Sequence, residues 1–270
     1  MAMNPFASVI TTAAQTEDQT KEVAAERRVI PAGKAMARLI EYVELGPQPQ
    51  SFNGEKKPDC EEVRVAFELF GKKYISTTSD GEELHDVIAW KGTKKFNNKS
   101  QFFKLMKKMT YGREGITHMA QMLGEAFIVE VKHNTVERNG KEVTYANIFV
   151  DGDCYVAAPV VEDPVTNETK KLDVPEPTRP FRCFIWKNPT KECWDSIFID
   201  GSRTFKEGDK EVTRSNNWMQ ETLQSSPAFS GSALEAMLAA EAAAQGGLPP
   251  IDDSGLIGVA PSENVDEIPF

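Results

Sequence analysis

Residues 91–113 read KGTKKFNNKSQFFKLMKKMTYGR. Eight are cations (Lys91, Lys94, Lys95, Lys99, Lys104, Lys107, Lys108, Arg113), none is Asp or Glu, and Phe96, Phe102, Phe103 and Tyr111 are interleaved. Such a set breaks no bonds; its chemistry is recognition. Cations neutralise a phosphodiester backbone, and aromatic faces stack on unpaired bases, a contact that every base can make and that carries little sequence preference. The competing reading is a solvated basic helix with its phenylalanines in the core, and basic helices also dock acidic proteins. Phe103 and Met106 share a helical face and read as core. Phe96, set in Lys-Lys-Phe-Asn-Asn, reads as a stacking residue.

Other candidates come from strand-like runs. Arg38 and Tyr42, four apart, share a face if their strand is regular, and Arg64 lies on the polar face of VRVAFEL. Tyr42 joins Phe96 as a stacking candidate, and Arg38 and Arg64 as phosphate contacts. Trp186, Lys187 and Trp194 form a second aromatic and basic group, of which one Trp reads as buried. The local positive field stands out because the 270-residue chain carries a net charge of −10.

Catalytic patterns are missing from the sequence. There is no Gly-x-x-x-x-Gly-Lys-Ser/Thr phosphate loop, no Gly-x-Ser-x-Gly elbow and no His-Glu-x-x-His pair. Asp151-Gly152-Asp153 is a turn signal before it is a nuclease metal pair. His85, His118 and His133 stand apart, and Cys60, Cys154, Cys183 and Cys193 form no Cys-x-x-Cys spacing. The expectation is a binding protein, not an enzyme, with no cofactor and no metal.

These residues need a scaffold, and the flanking pattern supplies a mainly β one. Ala35–Leu45 and Glu62–Phe70 alternate as strands, with Gln48–Asp59 expected as a loop and Lys72–Thr78 as a short strand. Ser100–Tyr111 reads as a helix capped by Ser100, and Ile116–Leu123 as a second short one. Asn139-Gly140 between Ala126–Val136 and Glu142–Val150 is a hairpin signal. Asp151–Pro180 holds five prolines and reads as irregular. Phe181–Trp186 reads as a strand, Cys193–Ile199 as a further element, and Asn217–Gln224 and Ser232–Ala244 as helices. No run of about 18 apolar residues suggests a membrane span.

The chain divides into a leader (1–30), a core (31–205), a C-terminal helical segment (206–245) and a tail (246–270). The tail carries Asp252, Asp253, Glu263, Asp266 and Glu267 and no Lys or Arg, and reads as disordered. Its last residues, Asp266-Glu267-Ile268-Pro269-Phe270, offer two apolar side chains, a stiff proline and carboxylates to a partner pocket with a basic rim.

Two resemblances follow. Asp266–Phe270 resembles the acidic tip of bacterial single-stranded DNA-binding proteins. The core resembles the OB-fold single-stranded DNA-binding proteins of tailed bacteriophages: ARLIEYVELG (Ala37–Gly46) before a Pro/Gln stretch, VRVAFEL (Val63–Leu69), Asn98-Lys99-Ser100 before a helix, Leu123-Gly124-Glu125-Ala126 leading into the hairpin, and Tyr145-Ala146-Asn147-Ile148. The likeness spans about residues 31–200 plus the tip. It implies an OB-fold-like antiparallel β-barrel with flanking helices, coating single strands in replication, recombination and repair. It also implies a tip that recruits replication or recombination proteins. Met1–Ala14 has no basic n-region and no continuous apolar run, so no signal peptide is read and the expected location is the cytoplasm, a host cell's if phage-encoded. Docking of an acidic protein on 91–113, and strand annealing, are the alternatives. The sequence leaves a homo-oligomer open.

Overall fold

A computed structural model describes residues 28–244, apart from 53, 79–80, 139 and 208–209. The leader, save Arg28–Ile30, and the tail with its tip lie outside the described residues.

The architecture is mainly β, as expected. β1 (Gly33–Phe52) and β2 (Glu55–Phe70) form one long hairpin in which Phe52 pairs with Glu55 and Gly54 turns the chain at φ 80°. Gln48–Asp59 is therefore the far end of a hairpin and not a loop. Its prolines fit because the ladder is interrupted there: the register shifts between Gln48 and Gln50, which leaves Pro49 and Pro58 out of the pairing. A 3₁₀ turn at Lys72–Tyr74 precedes the small hairpin of β3 (Ile75–Thr77) and β4 (Glu83–His85). β5 (Val87–Thr93), which sequence pattern did not reveal, pairs with β2.

Helix α1 (Gln101–Thr110) follows, then a 3₁₀ turn at Met119–Met122 and the hairpin of β6 (Ala126–Arg138) and β7 (Lys141–Asn147). β8 (Val156–Ala157) adds to β6, and β9 (Val160–Glu162) pairs with β10 (Thr169–Lys171). β11 (Arg182–Phe184) lies parallel to β1. Helix α2 (Lys191–Ser196), the hairpin of β12 (Ser202–Glu207) and β13 (Lys210–Ser215), and helices α3 (Trp218–Gln224) and α4 (Ala233–Ala244) complete the order. The stretch expected as helical from residue 206 thus opens in a hairpin. Among the described residues no helix is long and apolar enough to cross a membrane.

The main sheet runs β5-β2-β1-β6-β7. Of the expected OB-fold-like antiparallel β-barrel, the described residues show the antiparallel sheet but no closed barrel. In β6, Ala126–Val131 pairs with β1 and Lys132–Arg138 with β7. The two edges face each other across a cleft lined by Val87–Ala89, Thr144–Ala146 and Arg28–Ile30.

One bulge organises the two faces. Leu39 pairs with Phe67 and Glu41 with Ala66, which leaves Ile40 as an extra residue. Side-chain alternation therefore changes phase at Ile40. Ala35, Ala37 and Leu39 before it, and Tyr42 after it, enter the main core with Val63, Val65, Phe67 and Leu69 of β2 and Phe102, Leu105 and Met109 of α1. Val43 and Leu45 enter a second core with Phe184, Trp194, Ile197, Met219, Leu223 and Leu234. The C-terminal segment thus covers the outer face of β1. Gly46 permits this, since a Cβ there would sit 2.5 Å from the Trp186 ring.

Candidate nucleic-acid interface

The basic segment is divided between a loop (residues 94–100) and α1. Asn97 accepts backbone N–H bonds from Lys99 (3.1 Å) and Ser100 (3.0 Å), an Asx turn that fixes the loop. Ser100 caps α1 by accepting from the Phe103 N–H at 3.2 Å. Within α1, Phe102, Leu105 and Met109 face the core. Lys107 and Lys108 occupy the last turn, where cations also complement the helix dipole.

Several expected contacts are engaged inside the protein, and burial makes Tyr42 a correction. Tyr42 is fully buried, edge-on to His118, and donates to Glu44 at 2.8 Å; the Ile40 bulge has turned it inward, away from the face that Arg38 shares. It has no face to offer a base. Arg38 donates to the carbonyls of Val174 (2.7 Å), Pro175 (2.9 Å) and Gly124 (2.9 Å) and to Glu176 (2.8 Å). It binds the 174–176 segment to the sheet, which is how part of the proline-rich stretch is held. Arg64 is ion-paired with Glu41.

Lys94 is paired with the buried Glu44. Lys91 pairs with Glu62 at 2.7 Å, Arg113 with Glu125 at 2.6 Å, and Lys108 with Asp153 at 3.0 Å. The Lys108 pair holds the Asp153 carboxyl below its ordinary range. Lys104 donates to the Gly152 carbonyl at 2.9 Å. Asp153 also bridges back to Val150, so Asp151-Gly152 forms a turn. Of the second aromatic group, Trp194 is in the core and Trp186 packs beside it.

What stays outward forms a compact set. Lys95 and Lys99 are exposed and make no ion pair with a described residue. Phe96 is 70% exposed, its ring held edge-on against the buried Phe102 at 5.8 Å. Lys107 is exposed and lies 4.7 Å over the Phe103 ring. Tyr111 is exposed at the end of the helix under the Arg113 guanidinium, 4.3 Å from its ring centre.

On α1 Phe103 and Lys107 lie one turn apart, with Lys99 in the loop before the helix and Tyr111 at its C-cap, so cations and aromatics alternate in a ridge that runs from the loop along the helix. Phe103, expected in the core, is half-buried on that ridge; the core-facing residues are its neighbours at 102, 105 and 109. The spacing of four between Phe103 and Lys107 was present in the sequence and is the signal that marks Phe103.

Comparison of the chain with protein-family models, curated proteins and solved structures finds no match.

Proposed function

We propose that this protein binds single-stranded DNA with little sequence preference and coats exposed strands during replication, recombination or repair. The observation that carries the reading is the outward set Lys95, Phe96, Lys99, Phe103, Lys107 and Tyr111. Cations without an ion pair among the described residues, for phosphates, alternate there with aromatic faces for bases. A duplex hides its base faces, so such a ridge favours the single strand. The five-stranded run β5-β2-β1-β6-β7, with edges that approach without pairing, supports an OB-like reading, since OB-folds are five-stranded and partly open. The resemblance to phage single-stranded DNA-binding proteins points the same way.

The test is a fluorescence-anisotropy titration of labelled oligo-dT at several salt concentrations, with duplex DNA as competitor. Tight binding that duplex barely competes is expected. Log K should fall by roughly 0.7 per contacted phosphate per decade of salt. The Lys95→Gln/Lys99→Gln/Lys107→Gln variant should lose about 2 from that slope. No binding at low salt overturns the reading and leaves the ridge as a docking site for an acidic protein.

Residues 246–270 carry five carboxylates and no cation and would compete with DNA for the same lysines. A covalently linked competitor acts at roughly millimolar effective concentration. Deleting 246–270 is expected to raise oligo-dT affinity at low salt, by about tenfold if the tail's own affinity is near 0.1 mM. The gain should vanish at high salt. Equal affinities at all salt concentrations would remove the tail from DNA competition and leave it the recruiting role that Asp266–Phe270 suggests.

A further inference from the structure

A second charged site lies away from the ridge, on the outer side of the main sheet. Ile40 and Glu41 of β1, Arg64 of β2, Val87 of β5, and Ile30, Asp86, Arg179 and Arg182 line an open cleft of about 430 Å³. That volume is in the range of small-ligand sites.

Its charges do not balance. Arg64 and Arg182 converge on a single carboxylate, Glu41, with Arg182 at 3.6 Å. Asp86 is already answered by Arg28 at 2.5 Å. The Arg179 guanidinium donates only to the His85 carbonyl, at 3.2 Å, and has no carboxylate partner among the described residues. The Nε atoms of Arg179 and Arg182 are buried without any hydrogen-bond partner. Buried donors of this kind are rare and cost free energy until an acceptor arrives. Burial and the neighbouring Arg182 push the Arg64 guanidinium down to about 10, which is what crowded, under-compensated cations do. The buried Glu68 beside the cleft is held by the backbone N–H groups of Thr178 and Arg179, so Arg64, Arg179 and Arg182 against Glu41 and Glu68 still leave an excess of positive charge, together with orphan Nε–H groups from which an anion's oxygens can accept.

We infer that this arginine cleft binds a phosphate group. Guanidinium forks match the tetrahedral oxygens of phosphate, and its negative charge answers the cationic excess. The inference does not depend on the ridge binding DNA. A free phosphoryl compound and a phosphate of a bound strand present the same chemistry.

The experiment is thermal unfolding of the full chain, titrated with sodium phosphate against sodium chloride at matched ionic strength. A saturable rise in Tm with phosphate and none with chloride is expected. Arg179→Gln removes an arginine that no carboxylate needs, so this variant should keep its Tm in chloride while losing phosphate affinity by about tenfold or more. Indistinguishable curves in the two salts would overturn the inference. So would an Arg179→Gln protein that responds to phosphate as the parent does, since the ion would then be binding elsewhere. Repeating the titration with labelled oligo-dT identifies the source. Displacement of the oligonucleotide by phosphate marks a strand phosphate as the occupant, and simultaneous binding marks a free phosphoryl ligand.

Discussion

Lys94→Met is expected to lower the stability of the protein by about 3–5 kcal/mol, or roughly 6–20 °C in Tm, because it strips a buried carboxylate of its counter-charge. The Lys94 side chain is only 12% exposed and that of Glu44 4%. Glu44 also accepts from the Tyr42 hydroxyl at 2.8 Å and the Trp186 N–H at 3.0 Å, so it joins β1, the segment after β5 and the C-terminal layer. Burial pushes the Glu44 carboxyl up, but the bonds from Lys94, Tyr42 and Trp186 outweigh it and hold the group below its ordinary value.

The sign of the pH dependence follows. A depressed carboxyl contributes stability above its unfolded pKa and loses it as pH falls through the lower folded value. In Lys94→Met burial dominates and the sign reverses, so the deficit should be large at pH 7 and shrink towards pH 4. Urea denaturation at the two pH values measures this. An equal deficit at both would mean that Lys94 acts through packing and not through charge.

That lysine shows where sequence reading stops. Eight cations without a carboxylate in 23 residues looked like one field, yet Lys94 meets Glu44, 50 positions away. Arg38 likewise closes on carbonyls some 136 positions along. Pairing of this kind is a tertiary property with no local signature. Local signals fared better: the alternation of Glu62–Phe70 and the Ser100 cap correspond to the elements their chemistry implies, and the strands expected on either side of Asn139-Gly140 pair from Arg138 and Lys141 onward.

The Ile40 bulge had no signature either. One extra residue in an otherwise regular strand sends Tyr42 to the core, and with it half of the expected stacking pair. β5 and the hairpin β12–β13 were missed because Val87–Thr93 is short and only partly alternating, and Ser202–Ser215 is mostly polar. Both take their strand form from partners, not from propensity.

Of the exposed aromatics among the described residues, Phe96 is the most open, at 70%. Phe96→Ala should therefore weaken oligo-dT binding by about 1–3 kcal/mol, roughly 5- to 150-fold, with Tm unchanged because the ring buries little in the free protein. The Asx turn at Asn97 holds the loop before any ligand arrives, so little ordering cost offsets the stack. Phe96→Trp should keep the affinity, and its indole emission should be quenched on saturation with oligo-dT. The salt slope separates stacking from charge. Phe96→Ala should leave it as in the parent, whereas the triple lysine variant should reduce it. If Phe96→Ala binds as tightly as the parent while the lysine variant does not, the strand is held by phosphates alone and the aromatic half of the ridge belongs to the fold.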